Sequence, residues 1–224
     1  MPLALIIGAS RGIGLELVRQ YRAEGWEVIG TARDAQGLGR LRALGAEALQ
    51  LDVTAAQAPE QIERMLDARA LGVAILNAGI YGPRSQALEP PDESAFVEVM
   101  RTNVLPAMRI APRLLAALER GKGKLAVLSS RMGAIGPRTG TAGWLYRASK
   151  AALNSVLKDV SLVAGARGIS CVAFHPGWVK TDMGGTGADV EVEASVTGIR
   201  RTLGAVGASQ NGTFLSYDGS AIPW

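Results

Sequence analysis

Tyr146 and Lys150 stand four residues apart in a stretch of helical character, so both side chains leave the same face. A phenol with a pKa near 10 is a poor acid–base group at neutral pH, but a neighbouring ammonium favours the phenolate and lowers that value. The pair can therefore pass a proton to or from a reacting oxygen, although the same spacing also occurs where Tyr and Lys merely decorate a helix. Sixteen residues before Tyr146, Ser129-Ser130 closes the apolar run Lys124–Leu128. If that run is a strand of a parallel sheet, its carboxyl edge is where ligands bind, and a serine hydroxyl there can hydrogen-bond the same oxygen.

A second constellation lies at the N-terminus. Gly8-Ala9-Ser10-Arg11-Gly12-Ile13-Gly14 follows the apolar run Ala4–Ile7 and leads at once into a helical stretch. Glycines permit a sharp turn and a close backbone approach, and a helix N-terminus favours negative charge, so the segment suits a dinucleotide pyrophosphate. A ligand-free turn between strand and helix has the same composition. No Gly-Lys-Ser/Thr follows, which disfavours nucleoside triphosphate hydrolysis. About twenty residues on, where a carboxylate would select the ribose of NAD, the chain reads Thr31-Ala32-Arg33. The carboxylate is missing and Arg33 brings a fork of donors suited to a 2′-phosphate, with Arg11 as a second cation; NADP(H) is the expected cofactor. Solvated surface arginines are the alternative, and Asp34 is in place to neutralise the preference.

The elements that must position these groups alternate along the chain. Ala4–Ile7, Glu27–Thr31, Ala46–Leu51, Val73–Leu76, Lys124–Leu128, Ser170–Phe174 and Thr213–Ser216 read as strands; Gly14–Glu24, Gly37–Leu44, Gln57–Arg69, Glu93–Arg120, Trp144–Ala164 and Val190–Ala205 read as helices. This is the pattern of an α/β Rossmann fold: a doubly wound, mostly parallel seven-stranded sheet with helices on both faces. At 224 residues it fills one domain, 1–224. Pro106 and Pro112 each remove a backbone donor, so the long fourth helical stretch is expected to kink or break.

Composition removes other function classes. Hydrophobic residues at 48% and charged residues at 20% are globular values, and 28 glycines without a period of three imply tight turns and not collagen. The net charge of +4 is scattered, with no basic stripe interleaved with aromatics, so nucleic acid is not an expected partner. The start MPLALIIGAS lacks a positive leader and reads as a strand, and no apolar run is long enough to span a bilayer; a soluble, cytoplasmic protein with no membrane partner is expected. Cys171 is the single cysteine and reads as a buried core residue, and the lone His175 reads as a hydrogen-bonded turn residue near the cofactor. No metal site is expected.

Taken in order, Gly8 to Gly14, Leu51-Asp52-Val53, Asn77-Ala78-Gly79, Asn103, Ser129-Ser130, Tyr146 with Lys150, and Pro176-Gly177 with Thr181 make the chain resemble, over essentially its whole length, the short-chain dehydrogenases/reductases. Ser130-Arg131-Met132-Gly133, Tyr146-Arg147-Ala148-Ser149-Lys150 and His175-Pro176-Gly177-Trp178 are similar to the sniffer-type carbonyl reductase and C-factor-like subgroup. The resemblance implies Tyr146 as general acid, Lys150 holding the nicotinamide ribose and lowering the phenol's pKa, Ser130 polarising the carbonyl, and Asn103 holding the water of a proton relay. Ser129 would merely end its strand. For the cofactor it implies Gly8, Ser10, Arg11, Gly12, Ile13 and Gly14 at the pyrophosphate, Arg33 at the 2′-phosphate, Asp52 and Val53 about the adenine, and Asn77, Ala78 and Gly79 along the floor. Pro176 and Gly177 close the list, with Val179 and Thr181 at the carboxamide. Val53 and Val179 read equally as core, and Asn77 equally as a tie between strands.

The implied activity is NADP(H)-dependent reduction of an aldehyde or ketone to an alcohol; the alternative is a cofactor-binding regulatory or signalling protein with incidental turnover. A homodimer is implied across Glu93–Arg120 and Trp144–Ala164, with Leu114, Leu115, Leu118, Leu153, Val156 and Leu157 either at that interface or against the chain's own sheet. Three departures from the family stand out: Ile7 where threonine is common, a long glycine-rich segment between Ser130 and Tyr146, and only about eight residues between Thr181 and the next helical stretch. The last predicts an open pocket with Trp144, Trp178 and Met183 as candidate walls.

Overall fold

The computed structural model describes residues 1–185 and 187–224; Thr186, within the short connection after Thr181, lies outside them. Strands β1 (Leu3–Ile7), β2 (Glu27–Ala32), β3 (Glu47–Gln50), β4 (Val73–Leu76), β5 (Lys124–Leu128), β6 (Ser170–His175) and β7 (Thr213–Ser216) form one sheet in the order β3-β2-β1-β4-β5-β6-β7. Every pairing between these strands is parallel, so the sheet is wholly parallel where the sequence pattern indicated mostly parallel. A parallel sheet is covered on both faces, which explains the uninterrupted apolar runs. Alternate residues of β1 serve opposite layers. Leu3, Leu5 and Ile7 pack with Ile62, Ile110, Leu114 and Leu153, while Ala4 and Ile6 pack with Leu17, Leu41, Val196 and Ile199.

The helices are α1 (Gly12–Ala23), α2 (Ala35–Ala43), α3 (Ala58–Leu66), α4 (Glu93–Asn103), α5 (Leu105–Arg120), α6 (Trp144–Gly165) and α7 (Val192–Ala205). The long fourth stretch is thus two helices, parted at Val104. Pro106 falls in the first turn of α5, where its missing donor has no intrahelical partner to lose, whereas Pro112 is carried inside α5 without ending it. Helix α7 begins two residues later than Val190, because Val190 is drawn into a bridge with Val179. The order in which strands are added to the sheet reverses between β1 and β4, the switch point at whose carboxyl edge an open α/β sheet forms its crevice.

Candidate active site

At that edge lies a cleft of about 480 Å³. Its floor at one end is the turn from β1 to α1. Gly8 sits at φ +83°, and a Cβ there would meet Ala78 at 2.7 Å, so only glycine fits. Gly14 packs against the Gly8 carbonyl and the Asn77 side chain with no room for a Cβ. Asn77 Nδ2 donates to the Gly8 carbonyl at 2.5 Å, so this residue both ties the end of β4 to the turn and lines the cleft. The Gly8 amide donates to Thr31 Oγ1 at 2.9 Å. The hydrogen bond forgone with Ile7 is thereby supplied from β2, by a residue whose β-branched type had marked it only as a strand former.

Ser10, Arg11, Gly12 and Ile13 line this end with Arg33, Asp52 and Val53. Asp34 is turned away: its carboxylate caps α2 by accepting the Gly37 amide at 2.7 Å. Asp52 accepts the Thr54 amide and hydroxyl at 2.9 and 2.8 Å, which holds its carboxyl below the usual range, with Arg33 and Arg101 adding to the effect. Arg11 reaches Asp182 at 3.3 Å across the cleft mouth, both side chains largely exposed. Thr181 is close against Gly12, and Thr181, Asp182 and Met183, which follow β6, line the cleft. Met183 is thus at the wall, whereas the Trp144 and Trp178 indoles donate to Glu89 and Gly184 carbonyls at 2.9 Å outside the cleft lining.

The other end is built from buried side chains. Lys150 is 4% exposed and donates through Nζ to the Leu128 carbonyl at 2.8 Å, its ammonium pulled down to about 8 by burial. Tyr146, 8% exposed, is pushed up to about 12 by burial; a hydrogen bond with Ser130 opposes that and Tyr81 adds to it. The lowering anticipated from Lys150 is therefore not what governs here. The lysine nitrogen is engaged by Leu128 and sits 5.6 Å from the phenol ring centre, so desolvation wins and the phenol stays protonated at neutral pH. Ser130 opens a 3-10 turn, Arg131–Gly133, its Oγ accepting from the Met132 amide at 3.2 Å. Ser129 Oγ is spent on Asn154 Oδ1 at 2.6 Å, tying β5 to α6.

Asn103 closes α4 with its carboxamide almost fully engaged. Oδ1 accepts the Ile80 amide at 2.8 Å, and Nδ2 donates to the Ile80 carbonyl at 2.8 Å and to Ser149 Oγ at 2.9 Å. Ala78, Gly79, Pro176 and Thr181 line the cleft; Val179 is buried and bridges Val190, and Gly177, at φ +90°, turns the chain beside Val190 and Tyr217. His175 ends β6 and its main-chain carbonyl accepts the Tyr217 amide, while Nδ1 is buried with no hydrogen-bond partner among the described residues, contrary to the bonded turn residue anticipated. Tyr81 was missed altogether. It stacks on Tyr146 with ring centres 4.6 Å apart and planes at 21°, and its only sequence signal is an aromatic two residues past Asn-Ala-Gly.

A glycine turn beneath a helix N-terminus, joined at a topological switch point to a buried Ser, Tyr and Lys, defines an α/β oxidoreductase site. The short chain dehydrogenase family model matches residues 2–190, and the chain belongs to that family. It is similar to the C-signal of Myxococcus xanthus, 35% identical over 153 residues covering 68% of this chain and 92% of the relative. Among solved structures it is similar to the carbonyl reductase Sniffer of D. melanogaster, with 29% identity, TM-score 0.91 and 100% of both chains covered. A carbonyl reductase from Pseudomonas aeruginosa in complex with NADP gives 34% identity, TM-score 0.87 and 100% of both chains.

Proposed function

We propose that the protein is an NADP(H)-dependent carbonyl reductase. One observation carries this reading: Tyr146 and Lys150 line one end of a cleft whose other end is a glycine turn beside Arg33, and Ser130 stands in hydrogen-bond reach of Tyr146. The cleft suits a phosphorylated dinucleotide, since its volume of about 480 Å³ is lined at the glycine-turn end by Ser10, Arg11, Gly12 and Arg33 and the Asp34 carboxylate is committed to α2. The amides at the start of α1 would face the pyrophosphate, Arg33 the 2′-phosphate with Arg11 as second cation, Asp52 and Val53 the adenine, and Lys150 the nicotinamide ribose, with Thr181 near the carboxamide. When bound, the reduced cofactor supplies the hydride. Ser130 hydrogen-bonds the substrate oxygen and Tyr146, protonated at neutral pH, gives that oxygen its proton. Asn103 has one Oδ1 lone pair and its main-chain carbonyl left to offer a relay water.

A homodimer is part of this reading. Leu114, Leu115, Leu118, Leu153 and Leu157 are all buried in the chain's own core and cannot make an interface, but Phe96 and Val97 on α4, Met108 on α5, and Leu162 and Val163 on α6 are exposed. Light scattering at twice 23.4 kDa would support it. A cytoplasmic setting suits a protein whose single cysteine is a buried free thiol. The test of activity is a panel of aldehydes and ketones followed by loss of NADPH absorbance. Turnover of hydrophobic carbonyls supports the reductase; tight NADPH binding with no turnover of any carbonyl would favour a regulatory role like that suggested by the C-signal similarity.

A further inference from the structure

We infer that Tyr81 is a positioning residue for Tyr146, holding the phenol in its reactive orientation by stacking from a loop that is itself locked to the Tyr146 helix. The inference rests on the reading of Tyr146 as the proton donor. Three independent features of the structure converge on it. The rings of Tyr81 and Tyr146 lie 4.6 Å apart at 21°, a near-parallel stack that restricts rotation of Tyr146 about its side-chain bonds. The backbones that carry the two rings are also tied together. Asn103 grips both the amide and the carbonyl of Ile80, immediately before Tyr81, and donates to Ser149, whose hydroxyl donates to the Tyr146 carbonyl at 2.8 Å. Finally, space is reserved for the Tyr81 hydroxyl. Gly143, at φ +66° just before α6, faces it so closely that any Cβ would collide with that oxygen.

Arg84 completes the support. Its guanidinium lies 5.0 Å from the Tyr81 ring centre and donates to the carbonyl of Met183, a residue of the cleft lining, at 2.9 Å, so the stack is braced from the cleft wall. Neither Tyr81 nor Arg84 takes part in the proton transfer of the proposed mechanism; their effect passes through the orientation of Tyr146. Misplacing a reacting group by about an ångström can cost on the order of a hundredfold in rate.

The experiment compares Tyr81→Ala, Tyr81→Phe and Tyr146→Phe with wild type, using the best carbonyl substrate of the panel and NADPH titrated by fluorescence. Tyr81→Ala should lower kcat by roughly tenfold with NADPH affinity unchanged, and Tyr81→Phe, which keeps the stacked ring, should restore kcat to within about twofold. Tyr146→Phe with substantial turnover would remove the proton-donor reading itself. An inactive Tyr146→Phe together with a fully active Tyr81→Ala would remove only the positioning role. Tyr81→Phe as poor as Tyr81→Ala would also overturn it, because the hydroxyl and not the ring would then be the active feature. Should Tyr81→Ala fail to fold, Gly143→Ala tests the same contact from the other side. Its kcat loss should shrink when combined with Tyr81→Phe, which removes the atom it strikes, and equal losses in the two backgrounds would refute the contact.

Discussion

At the glycine-turn end of the cleft the groups that face a ligand are backbone amides and exposed side chains, Arg11 being 70% exposed; at the catalytic end they are buried side chains, Lys150 and Tyr146 at 4% and 8%. The first end offers exposed charge and backbone geometry, with little desolvation. The second uses burial itself, pushing Tyr146 up to about 12 and pulling Lys150 down to about 8. Binding of the cofactor and proton transfer are therefore separable in the molecule, and substitutions should separate them.

The largest effect belongs to the buried end. Tyr146→Phe removes the transferable proton and should cut carbonyl reduction by 10²- to 10⁴-fold while leaving NADPH binding nearly intact, a typical range for general acid catalysis. Residual turnover above about a tenth of wild type would break the division of labour. The pH dependence sharpens it. A phenol raised to about 12 is protonated throughout the neutral range, so reduction should be nearly flat from about pH 6 to 8, whereas alcohol oxidation, which needs the phenolate, should rise with pH. An oxidation rate already level by about pH 7 would show that Lys150 overrides desolvation when substrates are bound.

Ser130 and Ser129 give an internal control. Ser130→Ala deletes a hydrogen-bond donor aimed at the developing negative oxygen, and losses of about 10²- to 10³-fold follow removal of one such donor. Ser129→Ala should cost about 1 kcal/mol of stability, read as a lower Tm, with kcat nearly unchanged, because its hydroxyl, although Ser129 lines the cleft, donates to Asn154 and the α6 backbone. Equal kinetic losses at both positions would place the polarising hydroxyl wrongly.

The same contrast explains what was legible in the sequence. The glycine turn is local: a few consecutive residues dictate their own backbone, so Gly8, Gly12 and Gly14 announce themselves. The strands are legible because burial on both faces makes each a continuous apolar run. The catalytic end assembles side chains from β5, α4, α6 and the loop after β4, and Tyr81 is silent in sequence because its role exists only once that loop is folded against α6. The direction on Tyr146 is hidden for a related reason: spacing reveals that Lys150 is near, but not that the phenol is desolvated and the lysine nitrogen turned to the Leu128 carbonyl. The leucines left open between an interface and the chain's own sheet likewise satisfy a helical stripe, and the core takes them.

At the exposed end, Arg33→Ala should weaken NADPH by about 10- to 150-fold and leave NADH unchanged, the worth of one charged hydrogen bond. Titration of both cofactors to wild type and variant checks it, and equal affinities in wild type would discard the 2′-phosphate reading.

The smallest effect is predicted next door, at Asp34. A carboxylate beside Arg33 is well placed in sequence to repel a 2′-phosphate or to take the ribose hydroxyls of NAD, and if it did so its removal would raise the NADPH preference. In the structure its oxygen instead accepts the Gly37 amide at the start of α2, where an acidic side chain also complements the helix dipole. Asp34→Ala should therefore leave the ratio of NADPH to NADH affinity within about twofold of wild type, while costing on the order of 1 kcal/mol of stability through the lost cap. Asp34→Asn, which keeps an accepting oxygen, should recover most of that stability. A tenfold rise in NADPH preference in Asp34→Ala, a change of about 1.4 kcal/mol, would show that the carboxylate does reach the ribose, and that the exposed end discriminates by repulsion as well as by the attraction of Arg33.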